Sequence, residues 1–342
     1  VTLTTSVTRR SVDFDGQYVE YDAQLTRPIR LPGKAALDRD IGRHGLDAAS
    51  NRAEDAKHQA ALLLADTWVA ASAEARVDQV IVDNHVRLVA AVKRRESLGD
   101  ASRLDVDQAE AALATARIGL ENSQGRARRA RVRLETQFPD LPLPAEAPEA
   151  PIPVAPEAGW DAYQQMIVAN SHEIGAARAE AARSTSLAAR ARRDRTADPS
   201  IGVRVFSERG GMEKGGGLVV SIPFGGGHRS ALADRAAAEA SAAEADLRAV
   251  EANVAEVAAT DIAEAEYRLA AWQRARDALG SQMAALTKLR RGYELGEVDL
   301  VDLLAAERLV GEAFRAEALS RVEAHRAVTR VRIDSHELWL GD

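Results

Sequence analysis

The sequence predicts a mainly α protein carrying two β-hairpins, and three observations lead there. Apolar residues make up 46% of the chain but aromatics only 4%, because alanine supplies much of the apolar total. Alanine is the best helix former and a poor core filler, so this composition favours long, thin helices over a thick core. The eleven prolines all fall at positions 28, 32, 139 to 156, 199 and 223, which leaves 33–138 and 224–342 free of the residue that breaks helices. Short segments outside those stretches alternate apolar and polar residues with the period of strands.

The elements follow in chain order. Val1 to Val12 reads as a strand turned back at Asp13-Phe14-Asp15-Gly16. In the return strand Val19, Tyr21, Ala23 and Leu25 alternate with Glu20, Asp22, Gln24 and Thr26, so residues 1–31 form a first hairpin. Residues 32–137 form a long and a shorter helix, with Val82, Val86 and Val89 at helical spacing. The long one, from about Ala36 to Leu98, would run about 95 Å at 1.5 Å per residue. The proline-rich stretch 138–157 is an extended connector, and 158–198 is helical again. Residues 199–223 repeat the hairpin plan: Ile201 to Phe206, a glycine-rich loop from Arg209 to Gly217, then Leu218 to Ile222. Residues 224–342 form a second helix pair, in which Leu247, Val250, Val254 and Val257 step by three, four and three, as in coiled coils.

The two halves share an internal repeat. Lys93-Arg94, Leu98-Gly99, Asp105 and Ala109-Glu110 match Arg290-Arg291, Leu295-Gly296, Asp302 and Ala306-Glu307 at one offset of 197. Glycine takes the left-handed conformation that stops a helix, and cations just before it suit the negative end of the helix dipole. Each half is therefore hairpin, long helix, tight turn, shorter helix, with Asp105 and Asp302 in the first turn of the returning helix.

The composition also excludes function classes. A formal charge of −7 disfavours a general nucleic-acid binder, and the absence of cysteine excludes disulfides and cysteine metal sites. No apolar run is long enough for a spanning helix, so any membrane crossing must use strands. The seven histidines include no i, i+4 pair, the glycine runs lack the Gly-Lys-Ser/Thr of a phosphate loop, and no serine sits in a nucleophile context. No cofactor, metal site or catalysis is expected.

Two strand pairs, two very long helices and two Leu-Gly turns in duplicated halves resemble the TolC-like family of outer membrane efflux proteins. The stretches Thr26-Arg27-Pro28-Ile29-Arg30-Leu31-Pro32-Gly33-Lys34, Pro199-Ser200-Ile201-Gly202-Val203 and Val220-Ser221-Ile222-Pro223-Phe224 are most similar to outer membrane components of heavy-metal exporters driven by resistance-nodulation-division pumps. The resemblance implies a homotrimer, with a twelve-stranded barrel in outer membrane lipid above a periplasmic α-helical barrel. It implies an exit duct for metal cations or small toxic compounds, working with a periplasmic adaptor and an inner-membrane pump. Four strands are too few to close a membrane barrel, so several chains must contribute whatever their number. The family places helices before each strand pair, yet the first half starts directly at Val1, so the chain is expected to lack its first helical pair and its signal peptide.

The resemblance also assigns residues. Arg94, Leu98, Gly99 and Ser102 with Arg291, Leu295 and Gly296 would be the periplasmic tips that meet the adaptor. Tyr293, Asp302 and Asp105 would form the entrance constriction, with the Tyr293 hydroxyl bonded to Asp105; Val298 stands where the family has an arginine. Residues 13–17 and 207–217 would face outward, and Phe14, Tyr18, Tyr21, Phe206 and Phe224 would form interfacial girdles. The competing class is a periplasmic coiled-coil adaptor or soluble scaffold, which explains the helices but needs no duplicated hairpins.

Overall fold

Proline, glycine and the switch between the two periods punctuate the backbone where the chain changes structure. The computed structural model describes residues 1–66 and 69–338. Strands β1 (Thr2–Val12) and β2 (Gly16–Pro28) form the first hairpin, and β3 (Ser200–Glu208) and β4 (Glu213–Ser221) the second. Seven helices account for most of the rest: α1 (Lys34–Asp66), α2 (Val69–Ser97), α3 (Arg103–Gln137), α4 (Trp160–Asn170), α5 (His172–Asp194), α6 (Gly227–Glu294) and α7 (Leu300–Asp334). The single helix expected from Ala36 to Leu98 corresponds to α1 and α2, and residues 67 and 68 between them lie outside the described residues.

The chain divides into two compact units. The first comprises residues 1–53 and 172–251 and contains the sheet. The four strands pair antiparallel in sequence order, and β2 joins the hairpins by pairing with β3, Leu25 opposite Val203 and Asp22 opposite Phe206. Because side chains alternate, this register sorts the sheet into two faces. One carries Leu3, Val7, Leu25, Ile201, Val203, Val205, Leu218 and Val220; the other carries Glu20, Asp22, Arg204, Glu208 and Glu213. Arg204 pairs with Asp22 on the polar face, and Arg10 with Glu20 at 3.4 Å.

The register corrects two expectations. Tyr18 and Phe206 fall on the polar face, so of the expected girdle residues within the strands only Tyr21 lies on the apolar one. Gly215 to Gly217 lie inside β4, and the turn is confined to Arg209–Met212, where Arg209, Gly210 and Gly211 all have positive φ. Composition suggested a loop, but Gly215 is there because the Phe206 ring covers it. A Cβ at that position would come within 2.7 Å of the ring's Cε1.

The start of α1 is tied to the α5–β3 junction by a buried lysine. Lys34 Nζ lies 2.8 Å from carboxylate oxygens of both Asp194 and Asp198 and donates to the Thr196 carbonyl at 2.9 Å. The Leu31 N–H donates to Asp198, and Arg190 bridges Asp194 and Asp38.

The second unit comprises residues 54–171 and those from 252 onward. Here Ala258, Ala265, Trp272 and Leu286 are buried on α6, with Leu279 and Tyr293 completing a strict seven-residue step. That period matches the left-handed supercoil of a coiled coil. Val82, Val89 and Val92 of α2, Val106 and Leu113 of α3, Leu286 of α6, and Leu300, Leu303 and Val310 of α7 form its main core. Tyr163 and Ile167 of α4 pack with Ile262 and Val331 in a second cluster. The connector has neither helix nor strand; Arg76 holds it by donating to the carbonyls of Ala147 at 2.6 Å and Pro148 at 3.0 Å.

Candidate functional site

The site is the pair of helix reversals in the second unit, and the repeat gives them nearly one construction. Gly99 has φ +84° and Gly296 +77°. The Asp100 N–H donates to the Arg95 carbonyl at 2.8 Å and the Glu297 N–H to the Gly292 carbonyl at 2.9 Å, the six-to-one closure of a glycine-stopped helix. Each returning helix then starts on a side-chain cap. Ser102 accepts from the Asp105 N–H, and the Asp105 carboxylate accepts from both the N–H and the hydroxyl of Ser102. In the second half Asp299 takes the serine's place and accepts from the Asp302 N–H at 2.9 Å. The Asp302 carboxylate is exposed and makes no such return bond.

The basic pairs of the repeat divide their work. Lys93 reaches Glu110 at 2.5 Å and Arg290 reaches Glu307 at 2.6 Å, so the first cation of each pair ties outgoing to returning helix. The hydrogen bond from Lys93 holds the Glu110 carboxyl below its ordinary value. Of the second cations, Arg291 turns to Glu294 at 2.9 Å, and Arg94 makes no ion pair among the described residues. Leu98 and Leu295 are both more than half exposed, as a contact surface requires.

Tyr293 does not meet Asp105 within the chain. Its ring lies under the guanidinium of Arg95, 4.3 Å from the ring centroid, and Arg95 Nη1 also donates to the Tyr293 carbonyl at 3.1 Å. The reason is chemical: Asp105 already serves its cap, while a cation above the ring face gains from the aromatic quadrupole. Arg95 was not picked out by the repeat because the repeat reports residues kept in both halves, and its counterpart is Gly292. Gly292 in turn is required by packing, since a Cβ there would come within 2.7 Å of Val298. A groove of about 530 Å³ opens beside the two reversals, lined by Leu88, Leu98, Leu303 and Tyr293 together with Arg87, Arg94, Arg95, Arg290, Glu294 and Glu307. Among the described residues no three His, Asp or Glu side chains converge as metal ligands would.

No protein-family model matches the chain, and no curated protein matches it either. Solved structures do. The outer membrane protein VceC from Vibrio cholerae superposes with a TM-score of 0.77 at 16% identity, over 98% of this chain and 86% of that one. A membrane protein from Pseudomonas aeruginosa gives 0.76 at 16% identity, over 98% and 80%. The MtrE outer membrane channel of Neisseria gonorrhoeae, in its open state, gives 0.68 at 17% identity, again over 98% and 80%. With paired long helices, two capped reversals and a four-stranded antiparallel sheet, the chain has the fold of the TolC-like outer membrane channels.

Proposed function

We propose that this protein is the exit duct of a tripartite efflux system. Its sheet would close with those of two further copies into a twelve-stranded outer membrane barrel, and its helices would form a tunnel in the periplasm. The observation that carries the reading is the sheet itself. One face is apolar and exposed, the other is charged, and among the described residues neither outer edge, β1 nor β4, has a partner strand. In lipid every backbone polar group must be paired, so such a sheet has to close on other strands. A soluble adaptor or scaffold has no use for it. The exposed heptad steps Leu104, Ala111 and Ile118 on α3, with Val132 following beyond Gly125, offer a second seam for a neighbouring copy. The test is fractionation with unheated electrophoresis. A duct partitions with outer membranes and runs at three times the chain mass until heated; a chain that stays soluble as a monomer would overturn the reading.

The reversals are the proposed periplasmic end, where the periplasmic adaptor that links the duct to an inner-membrane resistance-nodulation-division pump would dock on Arg94, Leu98, Gly99, Ser102, Arg291, Leu295 and Gly296. Asp302 and Asp105 would place rings of carboxylates at the entrance, which concentrate cations at a narrow mouth. That charge, with the sequence stretches similar to heavy-metal exporters, supports metal cations as cargo beside small toxic compounds. Substituting Gly99 and Gly296 by leucine strains two backbones at positive φ and re-aims both tips. We expect the trimer to persist and site-specific crosslinking to the adaptor to fall at least tenfold; undiminished crosslinking would remove the tips from the docking surface.

A further inference from the structure

The two faces of the sheet differ in the sign of their charges as well as in polarity. Every acidic residue of the four strands, Glu20, Asp22, Glu208 and Glu213, projects on the polar face. The apolar face carries no acid at all, and it carries three cations: Arg9, Arg27 and Lys214. Arg9 is opposite Val19 in the β1–β2 register, so eight residues of β2 separate its level from that of Arg27, about 27 Å along an extended strand. At the tilt usual in such barrels this projects to roughly 20 Å, close to the height of an outward apolar band. The cations therefore stand at its two borders, with Lys214 just inside the one near the turns.

Arg27 is the informative one. It is exposed and makes no ion pair among the described residues, and at the border of a hydrocarbon band an anion would stabilise it. Directly beside it the apolar face is hollowed to about 480 Å³, with Leu25, Ile201, Val203, Leu218 and Val220 in the walls. Those walls are almost wholly carbon. A hollow for hydrocarbon with an unpaired guanidinium at its rim matches one ligand chemistry, an acyl chain joined to a phosphate.

We infer that this face binds an anionic glycerophospholipid, its phosphate on Arg27 and an acyl chain in the hollow beside it. The inference rests on the sheet being the wall of a membrane barrel. The full chain, extracted from outer membranes in detergent, is examined by native mass spectrometry with added dioleoyl phosphatidylglycerol or dioleoyl phosphatidylcholine. Wild type should retain the anionic lipid at least fivefold over the zwitterionic one. Arg27→Gln should bring that preference below twofold, Arg27→Lys should keep part of it, and Arg10→Gln on the polar face should leave it unchanged. Inorganic phosphate should fail to compete; competition by phosphate alone would mean a bare anion site and overturn the assignment. Equal retention of the two lipids, or a preference that survives Arg27→Gln, overturns it as well. Failure of the membrane reading looks different, because the protein would then be missing from the outer membrane fraction and retain neither lipid.

Discussion

Replacing Lys34 with methionine is expected to destabilise the protein by about 3 kcal/mol, in the range for a buried ion pair that loses one partner. Lys34 is 1% exposed, and the change removes the cation that two carboxylates share, leaving Asp194 with Arg190 and Asp198 with the Leu31 N–H. The lower end of the range applies because the Asp194 side chain is 45% exposed and water recovers part of its solvation. Thermal midpoints should fall by roughly 5–10 °C. Burial alone would lower the lysine's pKa, but its hydrogen bonds to Asp194 and Asp198 outweigh that and hold it above its ordinary value. Burial likewise pushes both carboxyls up, and bonds from Arg190 and Lys34 to Asp194, and from Lys34 and the Leu31 N–H to Asp198, bring them below the usual range. Carboxyls whose values are depressed on folding contribute stability that is present above their unfolded value and lost as pH falls through the folded one. The difference between wild type and Lys34→Met should therefore narrow below about pH 4. Unfolding curves at pH 7 and pH 3 measure both effects, and a difference independent of pH would show that lost packing, not charge, is the cause.

Arg95→Ala is expected to open the channel entrance. The guanidinium holds Tyr293 twice, through the ring face and through the carbonyl, which together are worth about 2 kcal/mol at a partly exposed site. If that latch biases a two-state entrance, its loss shifts the closed-to-open ratio roughly 30-fold. Planar-bilayer recordings should show long openings in Arg95→Ala and in Tyr293→Leu. Tyr293→Phe should resemble wild type, because the ring carries the contact and the hydroxyl does not reach Asp105. If Tyr293→Phe alone opened the channel, the hydroxyl would be the latch after all. Asp302→Ala should leave gating intact and weaken block by divalent cations.

Most of the backbone was legible because its signals are local. Alternation in Tyr18 to Thr26, proline at 28, 32, 199 and 223, and glycine at 99 and 296 each act on the few residues around them. The failures share a different origin. Whether Phe206 lies on the apolar or the polar face depends on its pairing with Asp22, 184 residues earlier, and Gly215 is fitted to its strand position because that ring lies over it. Arg95 was hidden for a related reason: its value comes from a tyrosine on another helix, and the repeat that exposed Gly99 and Asp105 has Gly292 in its place. Self-similarity finds what two halves need in common, and the contact between Arg95 and Tyr293 lies where they differ.

The unpaired strand edges have a consequence for how the molecule comes into being. β1 presents an open edge eleven residues long and β4 one of nine, with the backbone groups of about every second residue unpaired, and hydrocarbon offers no water to satisfy them. If the sheet is the barrel wall proposed above, a lone chain has no stable membrane-inserted state to wait in, and insertion and assembly are one event whose rate rises steeply with the number of chains at the membrane. On that reading its stability is inseparable from its concentration, and dilution should act on it as a denaturant would.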